Sequence, residues 1–393
     1  MKYYLWHRFI YALLRVVAGP FVKLVFGYRC KKAGGPDAPS IVIANHNADL
    51  DPAFVGLGFS RHIYFVASEH AFRWGLGSKI LKFVFDPIPI NKTHADIFAI
   101  KEMLRRLKAG ANIGLFAEGD RSYDGKTGNI PASTAKLVKA GKADLVTFRI
   151  EGGYFTTPRW AVNKRKGRMS GAVVNRYAAA ELKAMSEEQI MAAIEKDIFE
   201  DAYERQRGNP VRYKGKKLAE TIETALYICP ACKKIGSLRS KDEIFFCECG
   251  LEATYTETGF LDGEDLQLTT ITDWNAWQLR QLSETIEKAA DEPICSDEGQ
   301  RLYKVIAAKD NELIGEGRMF IDRENFHCAG RTFELDQIVR MVVVGRMTLQ
   351  FALADGTSYE VHSDTPRSAL KYKEVFRILN ESSGSGLRGH TSS

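Results

Sequence analysis

The chain has 393 residues, 45% of them hydrophobic, 26% charged and 11% aromatic, which excludes a disordered or collagen-like chain. At about 150 residues per domain it has length for two or three folded domains. The formal net charge of +6 is compatible with nucleic acid, a membrane surface or acidic substrates as partners.

Position decides among these. Lys2, Arg8, Arg15, Lys23, Arg29, Lys31 and Lys32 all precede the first acid, Asp37, so the excess lies in the first 32 residues and the remainder is close to neutral. The same segment holds Trp6, Phe9, Leu13, Leu14, Val16, Val17, Phe21, Leu24, Val25 and Phe26. Cations recurring through the apolar run, without a small-residue cleavage site, argue against a signal peptide. Spanning is disfavoured too: Arg15 and Lys23 would each cost about 2.5 to 3.5 kcal/mol near a bilayer centre, and Pro20 interrupts the run. The pattern predicts two short helices broken at Gly19-Pro20, lying in the interface with Trp and Phe at the headgroup boundary and Lys and Arg on anionic phosphates. The alternative is a helix that docks on the following domain. No other run reaches the roughly 18 apolar residues of a spanning helix.

After a loop at 33–40, Ile41-Val-Ile-Ala44 reads as a buried strand. Ile63 to Ala67, Ile88 to Ile90, Ile113 to Phe116 and Leu145 to Ile150 are further strands, alternating with helices at 75–83, 94–108 and 132–140. Such alternation predicts an α/β domain with a largely parallel sheet. Residues 180–225 are charged and helical in pattern, with Ser186 and Gln189 as a capping box.

Two loops carry chemistry. In Asn45-His46-Asn47-Ala48-Asp49-Leu50-Asp51-Pro52, a strand-to-helix turn lets Asp51 accept from one imidazole nitrogen of His46 and leave the other as a base for an alcohol. In Phe116-Ala117-Glu118-Gly119-Asp120-Arg121-Ser122, Gly119 permits a tight turn with outward N–H groups, and Arg121 carries a fork suited to phosphate. Glu118 is placed to bind an acceptor hydroxyl or to orient Arg121. Alone, the first pair can arise by chance and the second can be a surface turn.

Together and in this order, Asn45, His46, Asp51 and Phe116, Glu118, Gly119, Arg121, Ser122 resemble the Asn-His-x4-Asp and Phe-Pro-Glu-Gly-Thr-Arg-Ser motifs of the glycerolipid acyltransferase family. The resemblance covers about residues 35 to 165. It implies direct acyl transfer from acyl-CoA or acyl carrier protein to a glycerolipid hydroxyl, without a covalent acyl-enzyme. His46 would be the general base, Asp51 its orienting partner and Arg121 the anchor of the acceptor phosphate. Asn45, Glu118, Gly119, Ser122 and Lys92 would complete the substrate site, Lys92 standing where the family often has Arg. Ala117 replaces the usual Pro, and Val146-Thr147-Phe148 the usual Val-Pro-Val. Asp120 stands where Thr is typical, and a carboxylate beside Arg121 repels a phosphate unless it points away.

Cys229-Pro-Ala-Cys232 and Cys247-Glu-Cys249-Gly250 have the spacing of two zinc-ribbon knuckles, whose four thiolates would close a structural Zn²⁺ site. A disulfide pair is the competing reading, and singly scattered Cys30, Cys295 and Cys328 favour a reducing compartment. Ribbon cations Lys233, Lys234, Arg239 and Lys241 are nearly balanced by Asp242, Glu243 and Glu248, so nucleic acid is not the expected partner. The ribbon is expected to brace the chain. Trp274 to Ala290 reads as a connecting helix. Short strands follow, including a hairpin of Thr348 to Leu353 and Ser358 to Val361 across an Asp-Gly turn, and then a helix from Arg367 to Leu379; only this outline is pleckstrin-homology-like. Pro158-Arg-Trp160 and Lys164-Arg-Lys166 read as solvated surface, or as a second patch for the membrane or an acyl carrier, and His70 and His94 as structural.

The expected order is therefore membrane-interfacial helices at 1–32, an α/β acyltransferase domain at 33–212 and a zinc ribbon at 213–260, then a linker helix at 261–296, a β-rich module at 297–380 and a disordered tail at 381–393. The expected activity is acylation of lysophosphatidate on the cytoplasmic face of a membrane containing anionic lipids. Glycerol-3-phosphate or another lysolipid as acceptor, and a non-catalytic membrane adaptor, are the alternatives.

Overall fold

Ile41, Val42 and Ile43 are all apolar, so a strand made from them has no face for water and must be covered on both sides. The computed structural model, which describes residues 4–33, 39–68, 76–90, 97–290, 292–307 and 310–382, places them in such a strand. His70, Lys92, His94 and the tail from 383 onward lie outside the described residues. The chain divides into two units, Met1–Arg159 with Lys164–Gly215 and Glu257–Gly259, and Trp160–Asn163 with Lys216–Thr256 and Phe260–Ser393.

In chain order the first unit runs α1 (Tyr4–Phe26), β1 (Tyr28–Cys30), β2 (Ser40–Ala44), α2 (Asp51–Gly58), β3 (Ile63–Ser68), α3 (Leu76–Phe85), β4 (Ile88–Ile90), α4 (Ile97–Lys108), β5 (Asn112–Phe116), α5 (Ser133–Gly141), β6 (Asp144–Glu151), α6 (Gly153–Thr156), β7 (Met169–Tyr177), α7 (Ala179–Ala184), α8 (Glu187–Ile198) and α9 (Ala202–Gly208). Among the described residues the strands form one sheet in the order β1-β7-β6-β2-β5-β3-β4, parallel except where β6 meets β7. Ile41 and Ile43 join Ile113, Leu145, Met103 and Ile194 in one core, while Val42 and Ala44 join Val146, Phe148, Phe54 and Phe26 in the other. Each fully buried Ile or Phe contributes about 1.5–3 kcal/mol, so β2, covered on both faces, is a rigid base for the loop that follows it. The helical pattern beyond α9 stops at Gly208-Asn-Pro210, as proline after a glycine dictates.

The N-terminal run is one continuous helix with Pro20 inside, not two helices broken at Gly19-Pro20. A proline removes one hydrogen bond and crowds one carbonyl, a cost of about 3 kcal/mol that the remaining turns absorb here. Its amphipathy is reversed. His7, Tyr11, Val22 and Phe26 are buried against the domain, while Leu5, Phe9, Leu13, Val16, Val17, Phe21 and Leu24 face outward, Leu5 being 78% and Val16 74% exposed. Polar groups hold the inner face: His7 Nδ1 lies 3.0 Å from Tyr64 Oη, and the Tyr11 hydroxyl donates to the Gly56 carbonyl at 2.5 Å. Burial pushes His62, stacked beside His7, down to about 4, so it is neutral at pH 7. Gly27, at φ 69, ends the helix where a Cβ would lie 1.9 Å from the Gly167 carbonyl oxygen, so only glycine lets the two backbones meet.

Pro158, Arg159 and Arg165 are buried in this unit, and Trp160 in the other, so these residues are core rather than solvated surface; Lys164 and Lys166 are exposed. Arg159 lies with its guanidinium carbon 4.1 Å from the Tyr123 ring centroid, a seat that repays its desolvation.

The second unit opens with β8 (Leu238–Lys241), β9 (Ile244–Cys247), β10 (Glu252–Tyr255) and β11 (Leu261–Asp262), an antiparallel sheet in the order β11-β10-β9-β8. Helix α10 (Ile271–Lys288) holds the preceding segment through its side chains. Trp274 Nε1 donates to the Ile228 carbonyl at 3.0 Å, and Gln278 accepts from the Tyr227 N–H and donates to the Ala225 carbonyl, both at 2.9 Å. Then come β12 (Cys295–Ala307), β13 (Asp310–Ile321), β14 (Asn325–Cys328), β15 (Arg331–Glu334), β16 (Ile338–Val344), β17 (Thr348–Leu353), β18 (Ser358–Ser363) and α11 (Leu370–Ser382). The strands are antiparallel in the order β15-β14-β13-β12-β18-β17-β16, with the expected hairpin closing at Asp355-Gly356. Buried Lys371 pins α11 to β12, its Nζ 3.0 Å from Asp297 Oδ1, while the Tyr372 hydroxyl donates to Asp297 Oδ2 at 2.8 Å.

Candidate active site

β2 and β5 pair in parallel with Ala44 beside Phe116, so the loops that begin at Asn45 and Ala117 leave the same end of the sheet. In α/β sheets that carboxyl end is where ligands collect. Asn45 points away from the opening: its Nδ2 donates to the Ile150 carbonyl and its Oδ1 accepts from the Ile150 N–H, both at 2.8 Å. It extends the ladder toward β6 and fixes the start of the loop.

Asp51 begins α2 and is fully buried. Its Oδ2 accepts from the N–H groups of Asn47 at 2.6 Å and Ala48 at 2.8 Å and lies 2.9 Å from His46 Nδ1. An oxygen that already accepts two N–H bonds has no proton to give, so Nδ1 donates and the lone pair sits on Nε2. Among the described residues Nε2 has no hydrogen-bond partner, and the ring is 20% exposed. The imidazole stacks on Phe116 with centroids 4.3 Å apart and planes at 19°. Tautomer and orientation are both set by the fold.

Glu118 has a different place from the one expected of a hydroxyl-binding group. Oε1 accepts from the His46 N–H and Oε2 from the Gly128 N–H, each at 2.7 Å, so the carboxyl brackets two loops. Burial pushes it up to about 8, against the pull of those two N–H bonds. Gly119 has φ 73, the left-handed turn that glycine takes without strain, and its N–H donates inward to the Phe116 carbonyl at 3.1 Å rather than outward. Ser122 is likewise internal: its N–H donates to the His46 carbonyl at 3.0 Å, and its hydroxyl donates to the Lys126 carbonyl at 2.8 Å and accepts from the Gly125 N–H at 2.9 Å. Asn45, Glu118, Gly119 and Ser122, all expected at the substrate site, each make hydrogen bonds within the protein here.

Arg121 is the cation that the site presents. Its Nη1 lies 3.2 Å from Asp49 Oδ2, and Asp49 is 70% exposed, a partner that an anionic ligand can displace. Asp120 turns to Arg159, with Oδ1 3.4 Å from Nη1, and Arg159 also donates to the Arg121 carbonyl at 3.3 Å. The carboxylate expected to repel a phosphate is therefore neutralised. Sequence reading missed Arg159 in this role because nothing local ties Pro158-Arg-Trp160 to the Arg121 turn. A base with an open lone pair and a cation on the adjoining loop can deprotonate a hydroxyl and hold an anionic substituent of the same molecule.

The four knuckle cysteines of the second unit also converge. Cys229 and Cys249 Sγ lie 3.6 Å apart and Cys232 and Cys247 Sγ 3.8 Å, with all four within 4.8 Å. A disulfide needs about 2.05 Å. Four sulfurs at about 2.3 Å from one ion make a tetrahedron with edges near 3.8 Å, so the set fits Zn²⁺. Gly250, at φ 100, provides the turn of the shorter knuckle.

Residues 29–151 match the family model described as Acyltransferase. The crystal structure of the 1-acyl-sn-glycerophosphate (LPA) acyltransferase PlsC from Thermotoga maritima is similar at 18% identity and a TM-score of 0.41, over 52% of this chain and 82% of that one. No curated protein matches the chain.

The Glu118 bracket has a pH signature. A carboxyl held near 8 in the folded protein and near 4.5 unfolded binds its proton more tightly when folded, so its contribution is greatest below 4.5 and is lost as pH rises toward 8. The melting temperature of wild type is expected to fall over this range more steeply than that of Glu118→Gln, measured by thermal unfolding in matched buffers. Parallel curves would show that Glu118 is not held protonated.

Proposed function

We propose that this chain, whose residues 29–151 match the Acyltransferase family model, moves a fatty acyl group from acyl-CoA or acyl carrier protein to the free hydroxyl of lysophosphatidate in phospholipid biosynthesis. The observation that carries the reading is the His46–Asp51 pair at 2.9 Å, with Nε2 open and Arg121 on the loop whose Ser122 N–H bonds the His46 carbonyl.

The acceptor phosphate displaces Asp49 and takes the Arg121 fork, which brings the hydroxyl to His46 Nε2. As the oxygen bonds to the thioester carbonyl carbon, its proton passes to Nε2, and Asp51 stabilises the imidazolium. Collapse of the tetrahedral intermediate breaks the C–S bond, and the leaving thiolate takes the proton from His46. No acyl-enzyme intervenes. Glu118, Ser122 and Asn45 act by holding the loops, and Arg159 by keeping Asp120 off the phosphate.

The outward apolar face of α1 seats the enzyme in a bilayer interface, next to the membrane its acceptor occupies. The helix is long and apolar enough to cross a membrane. Its bonds from His7, Tyr11 and Arg15 to the domain instead favour a helix lying flat with that domain on its inner side. Cations concentrated at this end favour the cytoplasmic face. In the second unit Cys229, Cys232, Cys247 and Cys249 hold a structural Zn²⁺, and the closed four-sulfur set leaves it no coordination position for chemistry.

Turnover of radiolabelled acyl thioester is expected to be greatest with lysophosphatidate and at least tenfold lower with lysophosphatidylcholine, whose phosphate is masked by choline; equal rates would contradict the Arg121 assignment. Metal analysis of freshly purified, reduced protein is expected to find one zinc per chain, with chelation lowering the thermal stability of the second unit. Absence of zinc from that preparation would refute the site.

A further inference from the structure

α1 has a counterpart in charge that the N-terminal sequence does not reveal. Backbone pairing of Tyr28 with Met169 and Arg29 with Ser170 lays β1 along β7, and Lys166 bridges to Lys214. The close approach of Gly27 to Gly167 fixes the end of α1 against the 164–168 segment. Residues far apart in sequence thereby share one edge of the first unit: Lys23, Arg29, Lys31 and Lys32 from the N-terminal part, and Lys164, Lys166, Arg168 and Lys214 from later segments. All eight are exposed. Among the described residues none of them has a carboxylate partner. The acid in register with this edge, Glu151 opposite Ser170, is engaged by Arg149 at 3.3 Å. Lys164 Nζ lies 5.2 Å from the Phe26 ring centroid, so the charged edge begins where the helix ends.

Like charges gathered without partners are costly in isolation and favourable beside a surface of opposite sign. We propose that the β1–β7 edge, through Lys164, Lys166, Arg168 and Lys214, is a landing patch for an anionic bilayer that selects the lipid while α1 supplies depth of insertion. The proposal rests on the reading of α1 as a membrane seat. Continuity with the outward apolar face, exposed through Phe21 and Leu24, favours a bilayer over an acidic protein as the occupant. Each cation near an anionic surface strengthens binding roughly fivefold, and salt screens the effect within about 8–10 Å.

The test uses the full-length chain and sedimentation with two vesicle compositions, pure phosphatidylcholine and phosphatidylcholine with about one third phosphatidylglycerol. The quadruple variant Lys164→Gln, Lys166→Gln, Arg168→Gln, Lys214→Gln is compared with an equal charge removal at Lys136, Lys142, Lys183 and Lys196, all exposed elsewhere in the unit. The patch variant is expected to lose at least tenfold in affinity for the anionic vesicles and nothing for pure phosphatidylcholine, with an unchanged melting temperature; the control is expected to lose less than threefold on both. Equal loss in patch variant and control would overturn the patch, because net charge would then suffice. Unchanged anionic-vesicle binding with a raised KM for acyl carrier protein thioester would overturn it in favour of an acidic protein partner. Failure of wild type to bind either vesicle would instead remove the membrane reading of α1 on which the proposal stands.

Discussion

The parallel register that sets Ala44 beside Phe116 decides where the two loops of the candidate site emerge. Successive strand residues face opposite sides of a sheet, so a slip of one position would send Ile41 and Ile43 into the wrong core and turn the loops apart. The register is held by apolar packing on both faces and, at its exit, by Asn45, whose amide bonds both backbone groups of Ile150. Beyond that point the loops hold one another. Glu118 takes the His46 N–H, Ser122 takes the His46 carbonyl, and Asp51 takes the imidazole together with the two N–H groups that follow. A histidine tied at its N–H, its carbonyl and one ring nitrogen keeps a single free function, the lone pair of Nε2.

The same economy of partners separates the charged residues at the opening. Arg159 satisfies Asp120 from a buried seat, so Arg121 is left with Asp49, a side chain largely in solvent. The first pair has one buried member and the second has its carboxylate largely in solvent, where water competes for it and an incoming anion exchanges it more readily. On the opposite scale, α1 puts its hydrogen-bonding groups inward and its Leu, Val and Phe side chains outward, a surface that water disfavours and a bilayer interface suits.

Much of this was legible before the fold. The unbroken Ile-Val-Ile run of β2 announces burial on both sides, and the largely apolar stretches at Ile63, Ile88, Ile113 and Leu145 mark β3, β4, β5 and β6; β1 and β7, mixing Tyr28-Arg-Cys30 and polar residues, carry no such pattern. His46 and Asp51 could be paired because a strand-to-helix turn brings them together locally. The destinations of Glu118, Ser122 and Asn45 could not, because their partners are backbone groups of other segments and any residue type has those. The direction of Asp120 depends on Arg159, which only the fold brings to it. The continuity of α1 through Pro20 was hidden for a related reason: propensity weighs a proline against its neighbours in sequence, whereas tertiary contacts hold the helix on both sides of it.

The central claim is that a positioned imidazole does the proton transfer. The most direct measurement is the rate of acyl transfer from labelled acyl thioester to lysophosphatidate by His46→Ala, with vesicle binding and melting temperature recorded on the same preparation. The account predicts a fall in kcat of about 10²–10⁴-fold with binding and stability unchanged. Turnover at the wild-type rate would contradict it.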